Sequence, residues 1–233
     1  MKNRKSKLNA EARSTQSLRA QSVPSIIADM RQRIASQALL PGSHIPEESL
    51  AVHYGVPRAK IREVLAALED RGLVARVPNK GALVAHVDME TTYQLYEIRE
   101  ALDTLIVRLA MRNATAADWD ELSELLGPPF EDSLKRGDIA EHVAIIMKFR
   151  NRLKDIAGNP ILVDLIGRVY DRTHVTIRRV ALLPGRAEMG IRQYREVLLA
   201  MRSNDAAAAD RCVRELNESA RQYIRQYKNY VFY

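Results

Sequence analysis

Apolar residues recur at helical spacing between residues 57 and 71, where one face carries Ile61, Val64, Leu65 and Leu68. A shorter helix ending near Tyr54 precedes this segment, and the turn Gly55-Val56 separates the two. Two β-prone runs follow, at 73–77 and 82–87, joined by the turn sequence Pro78-Asn79-Lys80-Gly81. Helix, turn, helix and hairpin predict a winged helix-turn-helix, an architecture that reads DNA with its second helix.

The chain beyond residue 88 has helical periodicity and no alternating strand pattern. Asp88 is a candidate N-cap, and Thr115 to Asp118 resembles a capping box. Pro128-Pro129 is expected to break the chain, ahead of a short segment to Arg136. The periodicity predicts six or seven helices, over about 89–112, 115–126, 138–157, 161–180, 187–202 and 205–230.

These patterns give a mainly α fold class with two domains. Residues 22–88 form the winged helix-turn-helix domain, whose first helix begins near Pro24, and residues 89–233 form an all-α helical bundle. Residues 1–21 are basic and polar without an apolar stretch, which predicts a disordered arm.

Charge is distributed unevenly between the two domains. The chain of 233 residues has a net charge of +7. Residues 1–88 contain 14 Lys/Arg and 8 Asp/Glu, whereas residues 89–233 contain 22 and 21. A positive field on the first domain favours a polyanionic partner, although a generic solvated surface is the alternative. The single cysteine, Cys212, favours a reducing compartment. The absence of an apolar run of about 18 residues argues against a membrane span.

The candidate DNA contacts are cations of the second helix. Arg58 and Arg62 are four residues apart, with Lys60 beside them, and we expect the three to share a face that meets phosphates or base edges. The alternative is that the two arginines form surface ion pairs with Glu63 or Glu69.

Both domains contain motifs of a known family. The first includes Leu40-Pro41-Gly42, Gly55-Val56-Pro57-Arg58, Ile61-Arg62-Glu63-Val64-Leu65 and Asn79-Lys80-Gly81, and it resembles the winged helix of GntR-type bacterial transcription regulators. The second includes Tyr96-Glu97-Ile98-Arg99, Ala157-Gly158-Asn159-Pro160 and the stretch 200–205, and it resembles the FCD effector domain of the FadR-like branch. The resemblance covers nearly all of the chain outside the N-terminal arm.

The resemblance implies roles for specific residues of the first domain. Arg58 and Arg62 become the arginines of the recognition helix, and Lys80 and Gly81 form the tip of the wing near the minor groove. Two residues depart from the family pattern: Pro57 replaces a common serine, and Glu48 stands where some members carry an arginine.

Many FCD domains hold a divalent metal with one aspartate and three histidines. The corresponding positions of this chain are Ile146, Arg150, Tyr194 and Leu216, none of which is a ligand of that kind, so we predict no metal cofactor. Asp138 and His142 have ligand-like spacing but lie about two helical turns upstream, and we interpret them as surface or N-terminal-turn residues.

A different ligand is expected in place of the metal. The resemblance puts Arg99 at the family's cavity, and Arg150 and Tyr194 replace two of its ligands. Together the three suit a carboxylate effector held by guanidinium groups. The alternative is that Arg150 pairs with Asp155, Asp103 or another acid and only fills the space.

The function implied is a cytoplasmic, ligand-responsive transcription regulator. We expect a repressor that binds a pseudo-palindromic double-stranded DNA operator as a homodimer and is released by a small organic acid. A transcription activator, or an architectural DNA-binding protein without an effector, is the alternative. The chain has no nucleophile–base pair, phosphate loop or metal-hydrolase motif, so we do not expect an enzyme.

Overall fold

The computed structural model describes residues 21–77 and 81–232, and these form two compact units that divide between His86 and Val87. This division lies next to the domain boundary expected after residue 88. The N-terminal arm, apart from Gln21, and Lys80 at the tip of the wing lie outside the described residues.

The first unit contains three helices and three short strands in its described residues. They are α1 (Val23–Ala35), β1 (His44–Ile45), α2 (Glu47–Tyr54), α3 (Arg58–Asp70), β2 (Val74–Val77) and β3 (Gly81–Val84). The strands form an antiparallel sheet in the order β1-β3-β2, in which Val74 pairs with Val84 and His44 pairs with Leu83. This is the predicted winged helix-turn-helix, with a strand, β1, that was too short to show an alternating pattern in the sequence.

Local chemistry fixes the helices of this unit. The Ser22 side chain caps α1 by accepting from the Ser25 amide, and Gly55 ends α2 with a left-handed φ of 64°. The Tyr54 hydroxyl donates to Asp29 at 2.5 Å and accepts from Arg33 at 3.3 Å, which ties the end of α2 to α1. The predicted apolar stripe of α3 is buried, so the opposite side of α3 is the one left exposed.

The second unit is helical throughout its described residues. Its eight helices are α4 (Met89–Asn113), α5 (Ala116–Leu125), α6 (Pro128–Lys135), α7 (Ile139–Ala157), α8 (Pro160–Ala181), α9 (Arg186–Arg202), α10 (Ala206–Gln226) and α11 (Lys228–Phe232). No helix within the described ranges is both long enough and apolar enough to cross a membrane.

The helix ends show where the sequence prediction was accurate and where it failed. Asp88 caps α4, and Thr115 and Asp118 form the predicted capping box of α5. The break expected at Pro128-Pro129 is confirmed, because α5 ends at Leu125 and a separate helix, α6, begins at Pro128. The short segment to Arg136 is itself helical, since both prolines lie in its first turn, where a missing amide hydrogen removes no helical bond. The helix expected over 205–230 is divided at Tyr227 into α10 and α11.

Two apolar clusters hold the bundle together. The larger one contains Ile106, Phe149, Ile166, Val197 and Leu216 among its buried residues, so it joins α4, α7, α8, α9 and α10. The smaller one joins Tyr96, Val180 and Ile224 to the terminal helix through Val231. Polar side chains that project between these clusters are therefore removed from water.

His142 lies in this interior near the start of α7, so of the two expectations, a surface residue or a residue of the N-terminal turn, the surface one is wrong. It is 1% exposed and stacks on Phe130, with ring centroids 4.5 Å apart. Ser133 Oγ donates to the Phe130 carbonyl at 2.7 Å, so it accepts from His142 Nδ1, 3.3 Å away. Asp138 is the N-cap of α7, which agrees with the expectation of a residue in the N-terminal turn.

The buried imidazole makes stability depend on pH. Burial lowers the pKa of His142 below its ordinary value of 6.5. The unfolded chain then gains a proton below about pH 6.5 that the folded chain rejects, and the free energy of unfolding falls by up to about 1.4 kcal/mol per pH unit. The decrease in the free energy of unfolding ends once the pH is below the pKa of His142 in the folded protein. Above pH 6.5 the neutral imidazole makes its full contribution to stability.

We expect His142→Gln to remove the part of the pH dependence of the free energy of unfolding that His142 causes. Urea unfolding of the second unit, followed by the fluorescence of Trp119 between about pH 5 and 8, measures it as the difference between wild type and variant. His86→Gln, which changes an exposed histidine, is the control and retains the wild-type profile. Parallel pH profiles for wild type and His142→Gln would show that the buried imidazole contributes no such term.

Candidate functional sites

The exposed side of α3 carries two arginines one helical turn apart. Arg58 is the first residue of α3, and Arg62 follows four residues later. Their side chains are 56% and 60% exposed. Glu47, in the first turn of α2, approaches both: its Oε2 atom is 3.0 Å from Arg62 Nε and 4.0 Å from Arg58 Nη2. The two guanidiniums therefore share one carboxylate and still face solvent.

The alternative expected from the sequence was that Arg58 and Arg62 form surface ion pairs with Glu63 or Glu69. The partner is Glu47 rather than Glu63 or Glu69, and Glu69 pairs instead with Arg76 at 3.1 Å. Exposed ion pairs of this kind contribute at most about 1 kcal/mol, so an incoming phosphate or base edge can replace Glu47 at small cost. The pair orients the arginines without sequestering them.

The expectation that Lys60 shares this face is wrong. Lys60 lies two residues after Arg58, which places it roughly 200° around the helix axis at 100° per residue. It is half-buried on the far flank of the apolar stripe, while Arg58 and Arg62 are exposed on the other flank. Lys60 therefore does not lie on the face of α3 that carries the two arginines.

The wing is described up to Val77 and again from Gly81. Gly81 pairs with Val77 across the hairpin and has a φ of 73°, a conformation that other residues adopt only with strain. A β-carbon at this position would lie 3.2 Å from His44 Nε2, so glycine also permits the close approach of β1. Gly81 thus has a structural role next to the wing tip.

In the second unit, the four positions that correspond to metal ligands in the family are buried within the bundle. Ile146, Arg150, Tyr194 and Leu216 are each at most 6% exposed. Arg150 Nη2 donates to the Tyr194 hydroxyl at 2.5 Å, so the second and third positions are in contact. Two hydrocarbon side chains and a guanidinium do not fit a divalent cation, and the expectation of no metal stays a prediction that rests on this chemistry.

A cavity of about 40 Å³ opens beside these residues. Arg99, Arg150 and Tyr194, the three residues expected to hold an effector, all line it. The other lining residues come from α4, α7, α8, α9 and α10, and they are Tyr96, His142, Ile146, Ile177, Val180, Ala181, Arg186, Ala187, Gly190 and Ala220. A space of this size accommodates a few water molecules or a compact ligand.

Arg99 and Arg150 present unsatisfied donors to this interior. Arg99 is 2% exposed, and its Nε donates to Asp103 at 3.2 Å. Arg150 is 6% exposed and donates to Tyr194. The Nη1 atom of each is buried and has no hydrogen-bond partner in the part of the chain that the structure describes. Both guanidiniums also lie within 5.5 Å of the centre of the Tyr170 ring, which places them side by side in the bundle.

Arg186 is a third cation of the cavity, and the sequence interpretation missed it. It follows Leu183-Pro184-Gly185, a turn-like stretch that is typical of a surface loop. The structure places it at the start of α9, 8% exposed, with Nη1 donating to Gln193 at 3.3 Å and a buried Nε that lacks a partner among the described residues. Burial lowers the pKa of Arg186, because the charged guanidinium has lost contact with water.

Acidic groups around the three arginines are scarce. No aspartate or glutamate lines the cavity within the described chain. Asp103, next to it, accepts from Arg99 and from the Tyr170 hydroxyl, which occupies both of its oxygens. Neither Asp103 nor Asp155 forms an ion pair with Arg150 in the residues described, so the alternative of a simple internal pair for Arg150 is not what the structure contains.

A second, smaller cavity of about 30 Å³ borders the first at Arg150. Its lining is mainly hydrocarbon and aromatic, and it consists of Asp103, Ile106, Val107, Phe149, Arg150, Leu153, Tyr170, Val197, Val213 and Leu216. Leu216 thus occupies apolar space, whereas Arg150 separates that space from the polar cavity.

Comparison with known proteins matches both units to characterised families. Residues 24–84 match the gntR family of bacterial regulatory proteins, and residues 94–219, more than half of the chain, match the FCD domain. The HTH-type transcriptional regulator McbR of Escherichia coli is 25% identical over 190 residues, which cover 81% of this chain and 86% of McbR. The HTH-type transcriptional repressor RspR of Escherichia coli is 25% identical over 205 residues, which cover 84% of this chain and 87% of RspR.

A solved structure has the same architecture. The structure of E. coli McbR/YncC superposes with a TM-score of 0.76 at 24% identity, and the match covers 88% of this chain and 98% of that one. Because the first unit matches the gntR family and the second unit matches the FCD domain, this protein belongs to the GntR family of bacterial transcription regulators, in the group that carries a C-terminal FCD domain.

Proposed function

We propose that this regulator is a homodimeric repressor that binds a pseudo-palindromic operator and is released when a small organic acid enters the cavity of the FCD domain. In this proposal Arg58 and Arg62 contact the operator, Lys80 and Gly81 form the wing tip, and Arg99, Arg150, Arg186 and Tyr194 hold the acid. Lys60 is left out of the base-reading set because it lies on a different side of α3.

The exposed arginine pair supports the DNA-binding part. Two guanidiniums one turn apart at the start of α3 can each reach a base edge or a phosphate of a major groove. Their shared contact with Glu47 is exposed and weak, so it holds them in place until DNA supplies stronger acceptors. A single short helix reads few base pairs, and a two-fold dimer doubles the readout.

The observation that carries the effector part is the set of buried, unpartnered guanidinium nitrogens. Leaving a buried polar donor unsatisfied costs about 1–3 kcal/mol, and more for a charged group. Arg99, Arg150 and Arg186 each have one such nitrogen, and all three line the same cavity. A carboxylate bound there accepts these hydrogen bonds and neutralises charge at once.

Coupling between the two functions follows from linkage. If the acid binds better to a conformation that binds operator poorly, then acid binding lowers operator affinity by the ratio of its own affinities for the two states. Selection of bound DNA from a random pool, followed by release with a panel of organic acids, tests the whole proposal. DNA that no acid releases would favour an architectural protein, and acid-dependent activation of transcription would favour an activator.

Arg62→Ala is expected to weaken operator binding by about 1–3 kcal/mol, because a bidentate arginine contact with a base edge has that value. Fluorescence anisotropy with the selected operator and with scrambled DNA measures the loss and its sequence dependence. Arg192→Ala, which removes an exposed arginine of α9, is the matched control and keeps wild-type affinity. Equal operator affinity for wild type and Arg62→Ala would remove this residue from the interface.

Arg150→Met is expected to weaken acid binding by about tenfold or more, since a hydrogen bond to a charged group contributes about 1.5–3 kcal/mol. Methionine retains the apolar stem and removes a buried charge without an ion-pair partner, so the ligand-free variant should be more stable by about 1–3 kcal/mol. Calorimetric titration and urea unfolding measure the two effects, with Arg192→Met as control. Unchanged acid affinity would show that Arg150 only fills space.

A further inference from the structure

We infer that the ligand of the FCD cavity is a compact dianion, an oxyanion with two negative charges, rather than a singly charged acid. The inference rests on the proposed function, because it assumes that this cavity is the effector site, and it specifies the charge and size of what binds there. A short dicarboxylate and a phosphate group both have this chemistry.

Charge balance is the first argument. Arg99, Arg150 and Arg186 bring three positive charges to the cavity, each on a side chain that is at most 8% exposed. Asp103 is the one carboxylate in the lining of either described cavity, and it is engaged by Arg99 and Tyr170. Among the residues that the structure describes, two of these guanidinium charges therefore remain without a carboxylate. A monoanion would balance one of them and leave the other buried, whereas a dianion balances both.

The number and position of free donors is the second argument. The partnerless nitrogens belong to three helices: Arg99 on α4, Arg150 on α7 and Arg186 on α9. The Tyr194 hydroxyl accepts from Arg150, which leaves its own hydrogen for a further acceptor. The two oxygens of a single carboxylate accept hydrogen bonds mainly in the plane of that group, whereas these donors approach the cavity from three helices. Two carboxylates, or a tetrahedral phosphate, supply three or more acceptor oxygens.

Size and surroundings restrict the ligand further. The polar cavity measures about 40 Å³, room for roughly three water molecules, so it restricts the ligand to a compact molecule. The apolar residues that complete its lining, such as Ile146, Ile177 and Val180, would face the short carbon chain of a dicarboxylate. The neighbouring apolar cavity offers only about 30 Å³ beyond Arg150, so a long hydrocarbon tail has little room.

Pairs of ligands that differ by one charge test the inference directly. Oxalate, malonate, succinate, glutarate and inorganic phosphate are the dianions, used at about pH 8, where phosphate is mainly doubly charged. Succinamate has the shape of succinate with one charge removed, and butyrate removes the same charge and its oxygens. Calorimetric titration of the full-length protein measures each affinity. We expect at least one dianion to bind with one site per chain and to exceed its singly charged counterpart by about tenfold or more.

The Arg186→Met variant tests the charge count independently of ligand shape. Removing one of the three guanidiniums leaves a single unbalanced charge, so the affinity ratio of the best dianion to its singly charged counterpart should fall toward one. Arg192→Met, on the exposed side of the same helix, should keep the wild-type ratio. A comparison of dicarboxylates with phosphate in these proteins identifies which source of the dianion the cavity prefers.

The outcomes separate this inference from the proposed function. Equal affinities for succinate and succinamate, or a ratio that Arg186→Met leaves unchanged, would overturn the dianion while leaving a carboxylate effector in place. Failure of every dianion to bind, together with binding of a singly charged acid that depends on Arg150, would also overturn the dianion and leave a carboxylate effector in place. Failure of all acids, in a protein that still binds its operator, would overturn both the dianion and the effector role of the cavity.

Discussion

A buried guanidinium is stable only where other groups replace the water it has lost, and the FCD bundle of this protein buries three such groups around one cavity. Arg99, Arg150 and Arg186 obtain partial compensation from Asp103, from tyrosine rings and from the Tyr194 hydroxyl, yet each retains a nitrogen without a partner in the described chain. The packed helices around them leave each of these side chains at most 8% exposed to bulk solvent. In the proposed function, an anion that enters the cavity supplies the missing acceptors, and the bound state is then the more stable one.

Arginine serves a different purpose on the first domain. Arg58 and Arg62 are more than half exposed and share Glu47, so water and salt screen their charges and their intramolecular contact is weak. Such groups exchange partners readily, which suits association with DNA. Burial therefore divides these arginines into two classes: exposed ones that solvent reaches, which we propose contact DNA, and enclosed ones, which we propose bind a small ligand.

The sequence alone was sufficient for the architecture and for part of the site. The stripe of α3, the caps Asp88 and Thr115 and the turn glycine Gly55 are local signals, and the structure contains all of them. Arg99, Arg150 and Tyr194 were expected in one cavity from family motifs, and they line one. Arg186 and His142 were missed because their burial depends on helices distant in sequence, which a turn-like or polar neighbourhood does not reveal. By contrast, the rotation of about 100° per helical residue was enough to predict that Lys60 lies on a different face of α3 from Arg58 and Arg62.

Reciprocal linkage offers the most direct test of the account, because it joins the enclosed arginines to the exposed ones. The affinity of the effector site for its tightest-binding acid is measured by calorimetry with the protein free and with the protein saturated by operator DNA. The proposed release from the operator by the acid requires that operator DNA weaken acid binding by the same factor by which the acid weakens operator binding. An acid affinity that is identical with and without operator would contradict the account.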